Sequence, residues 1–286
     1  MGIHIGLTGW GDHDILYSQS VRTKDKLATY SAHFPIVEID SSFYAIQSTS
    51  NYQRWSTETP EQFKFIVKAH QSMTGHDRKQ MTTLEAKQLF KAFLDSIDPI
   101  RKNDKLLYVL FQFPPWFDVH FTHIRKLKKI KQLLPDIPIA VEFRNQSWFN
   151  SKHKQATLEL LTNYEWIHTI CDEPQAGEGS VPTVLEVTNQ THAFIRMHGR
   201  NVHGWNRNGR GEEWRKVRFL YRYNKAELME WANHIKKLQS QVEHISIVFN
   251  NNSGGDAAEN AKQLIGLLGI SYNNLNPKQL DLFDFS

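Results

Sequence analysis

The 286-residue chain has a single cysteine, Cys171, so no internal disulfide framework holds it together, and a reducing, cytoplasmic setting is expected. No run approaches the ~18 consecutive apolar residues of a membrane span. The first residues, Met1 to Leu7, alternate at strand period and lack the basic start and apolar stretch of a secretion signal. His-Glu-x-x-His and Cys-x-x-Cys spacings are absent, as are internal repeats and low-complexity tracts. No glycine-rich dinucleotide fingerprint follows the first apolar run, which weakens the case for an open, doubly wound sheet.

What is present is enough to bury a large core: 40% of the residues are hydrophobic and 12% aromatic. Short apolar runs fall at Ile3–Thr8, Ile36–Asp40, Phe63–His70, Leu106–Phe113, Ile137–Arg144, Trp166–Asp172, Ala193–His198 and Ile245–Asn250. Segments of helical period separate most of them: Lys24–His33, Thr82–Ile97, Phe121–Leu134, Lys154–Leu161, Lys225–Leu238 and Ala257–Leu268. Between the sixth and seventh runs, Gly177, Gly179 and Pro182 mark an irregular loop with at most a degenerate helix. Strands alternating with helices imply a parallel sheet with right-handed crossovers. Eight such units close into a single-domain (β/α)8 TIM-type barrel over residues 1–270, followed by a tail at 271–286.

Side chains alternate faces along a strand. One face of each run is bulky and apolar, as packing under helices requires. The other turns polar toward the run's C-terminal end. Pointed inward, those ends gather Glu38, Asp40, Lys68, His70, Gln112, Glu142, Arg144, Arg196, His198 and Asn250 where barrels of this type carry their active sites. A structural ion-pair network is the plainer account, yet so many polar groups at one level exceed what a stable core requires. Cys171 shares parity with Ile167 and Thr169 and is expected on the outer face as a packing thiol. Trp10, Phe43, Tyr44, Trp116, Trp148 and Trp205 fall just beyond run ends, where rings can stack on bases or sugars, whereas Trp55 and Trp231 fall within helices.

Several motifs occur in a distinctive order: Ile5-Gly-Leu-Thr-Gly-Trp10, Val37-Glu-Ile-Asp-Ser-Ser-Phe-Tyr44, Phe65-Ile-Val-Lys-Ala-His70, Leu110-Phe-Gln-Phe-Pro-Pro115, Val141-Glu-Phe-Arg-Asn-Gln-Ser-Trp148, Arg196-Met-His-Gly-Arg200, and Phe249-Asn-Asn-Asn252 with Asn260-Ala261. Over nearly its full length the chain resembles the domain-of-unknown-function 72 family, also called YecE-like. The resemblance implies a TIM-type barrel and no particular reaction. The chain departs from the family's Thr-His pattern after the third strand, because Gly75 separates Thr74 from His76.

Net charge is +4 and the isoelectric point about 9.0. Arg196, Arg200, Arg207, Arg210, Arg215, Lys216, Arg218 and Arg222 crowd one stretch, as expected of a loop that attracts phosphate or nucleic acid. Arginine binds phosphate bidentately. Glu38, Lys68, Glu142 and His198 are the candidate catalytic groups, with Glu38 or Glu142 as base and His198 as acid. Trp10, Tyr44, His70, Gln112, Arg144, Trp148, Arg196, Arg200, Asn250 and Asn251 are the candidate substrate contacts. A divalent metal on the carboxylates and imidazoles is not the favoured arrangement, and no cofactor is indicated. In the tail, Gln279-Leu-Asp-Leu-Phe283 is similar to the peptide by which bacterial repair proteins bind the sliding clamp, with Gln279 as polar anchor and Leu282 and Phe283 as apolar ones. The preferred expectation is a hydrolase of a phosphate-containing substrate, such as damaged DNA. The alternatives are an isomerase, lyase or hydrolase of a small phosphosugar, and a non-catalytic clamp-binding adaptor.

Overall fold

The computed structural model describes residues 2–206, 211 and 213–277. Eight strands, all parallel, form a closed barrel in sequence order. They are β1 (Gly2–Thr8), β2 (Ile36–Ile39), β3 (Lys64–Lys68), β4 (Leu106–Gln112), β5 (Ile139–Glu142), β6 (Ile167–Asp172), β7 (His192–Met197) and β8 (His244–Phe249). Each coincides with one of the apolar runs read from the sequence, and the (β/α)8 barrel expected there is the fold observed.

Alternation along the strands divides the core in two. The outer faces, including Val37, Ile39, Val67, Val141, Ile195 and Ile247, join one continuous cluster with helix residues such as Phe93, Leu127, Trp231 and Leu264. The inner faces pack Ile36, Ile66, Tyr108, Leu110, Ala140, Ile167, Phe194 and Val248 against one another in the barrel lumen. At about 25 cal/mol per Å² of apolar surface, these two layers are the main source of stability. Above the luminal plug, toward the C-terminal strand ends, the lumen turns polar.

The seam between β1 and β2 is close-fitted. A Cβ on Gly6 would lie 2.2 Å from the Ile36 carbonyl oxygen, so only glycine fits there. Nearby, the buried Tyr30 hydroxyl accepts from the Leu7 amide at 2.8 Å and donates to the Ile36 carbonyl at 2.8 Å.

Helices Lys225–Leu238 and Ala257–Leu268 have the bounds their periodicity predicts. The helix at Thr83–Lys102 runs past the expected end, since Ile100 and Pro99 remain buried against the barrel and hold the last turn. The first expected helix is reduced to a 3-10 turn, Thr23–Asp25, and one short helix, Lys26–Tyr30. No helix forms between β6 and β7; that loop is tied down by Thr188, whose hydroxyl bonds the Trp166 carbonyl and the His168 amide. After the last helix the chain crosses the N-terminal face of the barrel. Tyr272 accepts from the Ile5 amide at 2.9 Å, and the Asn276 side chain donates to Ser31 at 2.7 Å and to the Glu58 carbonyl at 3.1 Å. Gln279, Leu282 and Phe283 lie outside the described residues. No helix among the described residues is long and apolar enough to cross a membrane.

Candidate functional site

The C-terminal ends of β2, β4, β5, β7 and β8 aim their last inward side chains at one point. Arg196 from β7 is the hub. Its Nε and Nη2 clamp the two carboxylate oxygens of Glu38 at 2.9 and 2.6 Å, and its Nη1 donates to Glu142 at 2.6 Å and to Gln112 at 3.2 Å. Arg144 Nη1 donates to the other oxygen of Glu142 at 2.9 Å and lies 3.1 Å from Glu173. His198 places Nε2 at 3.2 Å from Arg144 and 3.3 Å from Glu142, with Nδ1 at 3.0 Å from the Asn250 amide. Glu38, Glu142, Arg144, Glu173, Arg196 and His198 are all buried.

Charges that deep persist because they are paired. Burial would raise the Glu142 carboxyl, but Arg196, His198 and Arg144 outweigh it and hold the group well below the usual range. Burial together with the nearby arginines pushes His198 down to about 3 despite Glu142, leaving the imidazole neutral. Burial pushes Glu173 up to about 7, only partly offset by Arg144 and by the Val181 amide that donates to it at 2.6 Å.

The other residues singled out from the sequence lie outside this network. Lys68 pairs with Asp40 at 2.7 Å and sits over the Phe43 ring. His70 caps the short helix Gln71–Thr74 by accepting from the Ser72 amide. Arg200 grips Asp172 and reaches Glu230. Asn251 is a buried bracket to the Tyr221 carbonyl and Asn260. Trp148, only 1% exposed, stacks on Phe143 at 4.1 Å and donates to the Phe117 carbonyl. Trp10 packs edge-on against Trp55, while Tyr44 stands 59% exposed on the rim.

Cys171 faces inward, contrary to the outer-face expectation. It is paired in register with the inward-pointing Arg196, and residues paired across parallel strands share a face. Because β6 is buried on both faces, hydrophobicity alone could not fix its parity. The donor atoms of Glu142, Cys171 and His198 lie within 4.8 Å of one another, the one such cluster found among the described residues. Both oxygens of Glu142 already accept from guanidinium groups, so a cation there would meet two positive charges. Burial, then Glu142 and Glu173, raise the Cys171 thiol well above its usual range.

Sequence reasoning missed Glu173, which lies in an aperiodic loop, and did not separate Arg218 from the basic stretch around it. Trp205 closes the network from above, with the Arg144 and Arg218 guanidinium groups each 4.5 Å from its ring centre. Arg144 Nε and Nη2 and Arg218 Nε are buried and have no hydrogen-bond partner among the described residues. Burial and the charge of Arg144 push Arg218 down to about 9. Beyond Trp205 opens a cleft of about 650 Å³, lined in part by Trp116, Trp214, Asn145 and Arg218.

Residues 4–281 match the family described as "Protein of unknown function DUF72". The chain is 52% identical over 281 residues to the UPF0759 protein YunF of Bacillus subtilis (strain 168), covering 98% of this chain and 100% of that one. Its fold superposes on a DUF72 family protein of Enterococcus faecalis V583 with a TM-score of 0.89 and 35% identity, over 98% of this chain and 100% of that one. A DUF72 family protein of Thermotoga maritima MSB8 gives a TM-score of 0.79 and 28% identity, over 94% and 99% of the two chains. By family match, sequence identity and fold alike, the chain belongs to the DUF72 family.

Proposed function

We propose that the protein is an enzyme of the barrel mouth that hydrolyses a small phosphate-bearing substrate. The observation that carries this reading is Arg144, a buried guanidinium beside Glu142, Glu173 and His198, with two nitrogens that have no hydrogen-bond partner among the described residues. A guanidinium left with buried, unused donors favours an anionic oxygen ligand, and phosphate matches its geometry. Arg196 is a poorer contact, because Glu38, Glu142 and Gln112 already occupy its donors. Both carboxylates are engaged by guanidinium groups, Glu38 by Arg196 and Glu142 by Arg196 and Arg144; Glu142 is the one bonded to Arg144, and to it we assign the attacking water.

The acid role passes from His198 to Glu173. An imidazole pushed down to about 3 is not the protonated acid at neutral pH, whereas a carboxyl pushed up to about 7 keeps its proton into the neutral range. His198 then orients Glu142, and Trp205 moves aside to admit the substrate. A small substrate is favoured over nucleic acid because the described cations of the basic stretch are mostly neutralised: Arg200 by Asp172, Lys216 by Glu213 and Arg222 by Glu259. DNA processing with clamp recruitment would rest on Arg207, Arg210 and the Gln279, Leu282 and Phe283 motif, all outside the described residues. A cytoplasmic location fits the single cysteine, a buried free thiol.

The test is phosphate release from a panel of phosphomonoesters and phosphodiesters. With Glu173 as the acid, activity should fall as pH rises above neutrality; Glu173→Gln is expected to lower kcat by roughly 10²–10⁴-fold and to remove that dependence. Full activity in that variant, or no turnover of any phosphate ester by the unaltered protein, refutes the reading.

A further inference from the structure

Three tryptophans meet at the cleft beyond the buried network: Trp205 as its floor, Trp214 on the helix Trp214–Arg218, and Trp116, which is 45% exposed after β4. The polar wall is rich in acceptors: the carboxylate of Glu178, that of Asp118, one oxygen of which is paired with His123 at 2.8 Å, and the side-chain amide of Asn206, whereas the Asn145 amide is engaged with the Pro115 carbonyl and the Ser147 amide. The Asn206 amide nitrogen is spent on the Ala176 carbonyl at 2.8 Å, which leaves its oxygen as the polar atom not so engaged. The exception is Arg218, whose buried Nε has no partner among the described residues and which stands on the side nearest Arg144.

Each feature selects for a property of the ligand. Arg78 lies 4.3 Å from the Trp116 ring centre and Arg218 4.8 Å from that of Trp214, so each ring has its opposite face to offer to a flat ring or the apolar C–H face of a sugar. Acceptors call for several hydroxyl donors. One cation at the inner end calls for one anionic group pointing toward the barrel. The exposed carboxylates Asp118 and Glu178 would repel a polyanion such as single-stranded DNA. We infer that this cleft is the ring subsite for a sugar phosphate, with the sugar on Trp116 and Trp214 and the phosphate directed past Trp205 toward Arg218 and Arg144. The inference rests on the phosphate reading above and adds the class of substrate.

Calorimetric titration of the whole protein with inorganic phosphate, glucose, glucose 6-phosphate, ribose 5-phosphate and a single-stranded 12-mer DNA tests it. A sugar phosphate is expected to bind more tightly than inorganic phosphate. The surface variant Trp116→Ala should weaken the sugar phosphate roughly tenfold, the loss of one stacked ring, while leaving inorganic phosphate unchanged. Sugar phosphates that bind no better than inorganic phosphate, or a Trp116→Ala variant with unaltered affinity, overturn the ring subsite and leave the phosphate reading intact. Glucose binding as tightly as its 6-phosphate keeps the ring subsite and refutes the phosphate reading. Salt-sensitive binding of the 12-mer that Trp116→Ala abolishes overturns the sugar assignment in favour of nucleic acid.

Discussion

Arg196 shows how much a single side chain carries in this barrel. Two buried carboxylates, Glu38 and Glu142, depend on its guanidinium. Replacing it by leucine takes from Glu38 the guanidinium that clamps it and leaves Glu142 to Arg144, and removing one partner of a buried pair costs about 3–5 kcal/mol. Urea denaturation of Arg196→Leu is expected to show a loss of that size. Adding Glu38→Leu should return part of it, since one orphaned charge is then gone. A single variant as stable as the original chain would mean that the network is not what holds the mouth together. Glu38, Glu142, Arg196 and Asn250 were legible in the sequence because their strands are polar on one face and apolar on the other at the C-terminal end. Cys171 was not, because β6 is buried on both faces and gives no parity signal. Glu173 lies in a loop without period, where tertiary contacts alone decide that it is buried.

Among the elements, the seam between β1 and β2 leaves no room for a side chain at Gly6. The strands are joined in part through the Tyr30 hydroxyl, which serves a buried amide on β1 and a carbonyl on β2. Tyr30→Phe removes both bonds and keeps the ring. A buried backbone group left without a partner costs about 1–3 kcal/mol, so this variant should lower stability by that amount while activity at the mouth is retained. An unchanged denaturation midpoint would show that the bridge contributes nothing. No sequence pattern announces such a bond, since a tyrosine in an amphipathic segment reads simply as core. Helix bounds were better signalled where local chemistry fixes them. Asn224 and Glu227 form a reciprocal cap at the start of Lys225–Leu238, and that helix begins where its pattern says. The segment at 24–33 lacks such a box, and only Lys26–Tyr30 is α-helical.

For the molecule as a whole, the buried and half-buried histidines set the response to acid. His198 is held near 3 and His168 near 4, both by burial, and His76 near 4 by burial with help from Lys68 and Lys126. In the unfolded chain each titrates near ~6.5. Between these values the unfolded state binds more protons than the folded one, so stability must fall as pH drops from about 6.5 toward 4. Glu173 works in the opposite direction: its folded value near 7 lies above its unfolded one, so its protonated form favours folding below neutrality and that contribution fades as pH rises through 7. His4, His13 and His192 are lowered as well, chiefly by burial, while Glu38, Glu58 and Asp172 are raised like Glu173; the imidazoles outnumber the raised carboxyls among the described residues, and the lowered carboxyls of Glu142 and Asp40 add to the acid side as pH falls through the usual carboxylate range. The melting temperature is therefore expected to decline from pH 7 to pH 5. His168 isolates the effect because it lies far from the charged network, packed on Phe149 with Nε2 at 3.2 Å from the Val184 carbonyl. His168→Leu should make the decline shallower by the share of one proton. A melting temperature that stays level or rises on acidification, or a His168→Leu variant with the original slope, would contradict the assignment of neutral, buried imidazoles to the folded state.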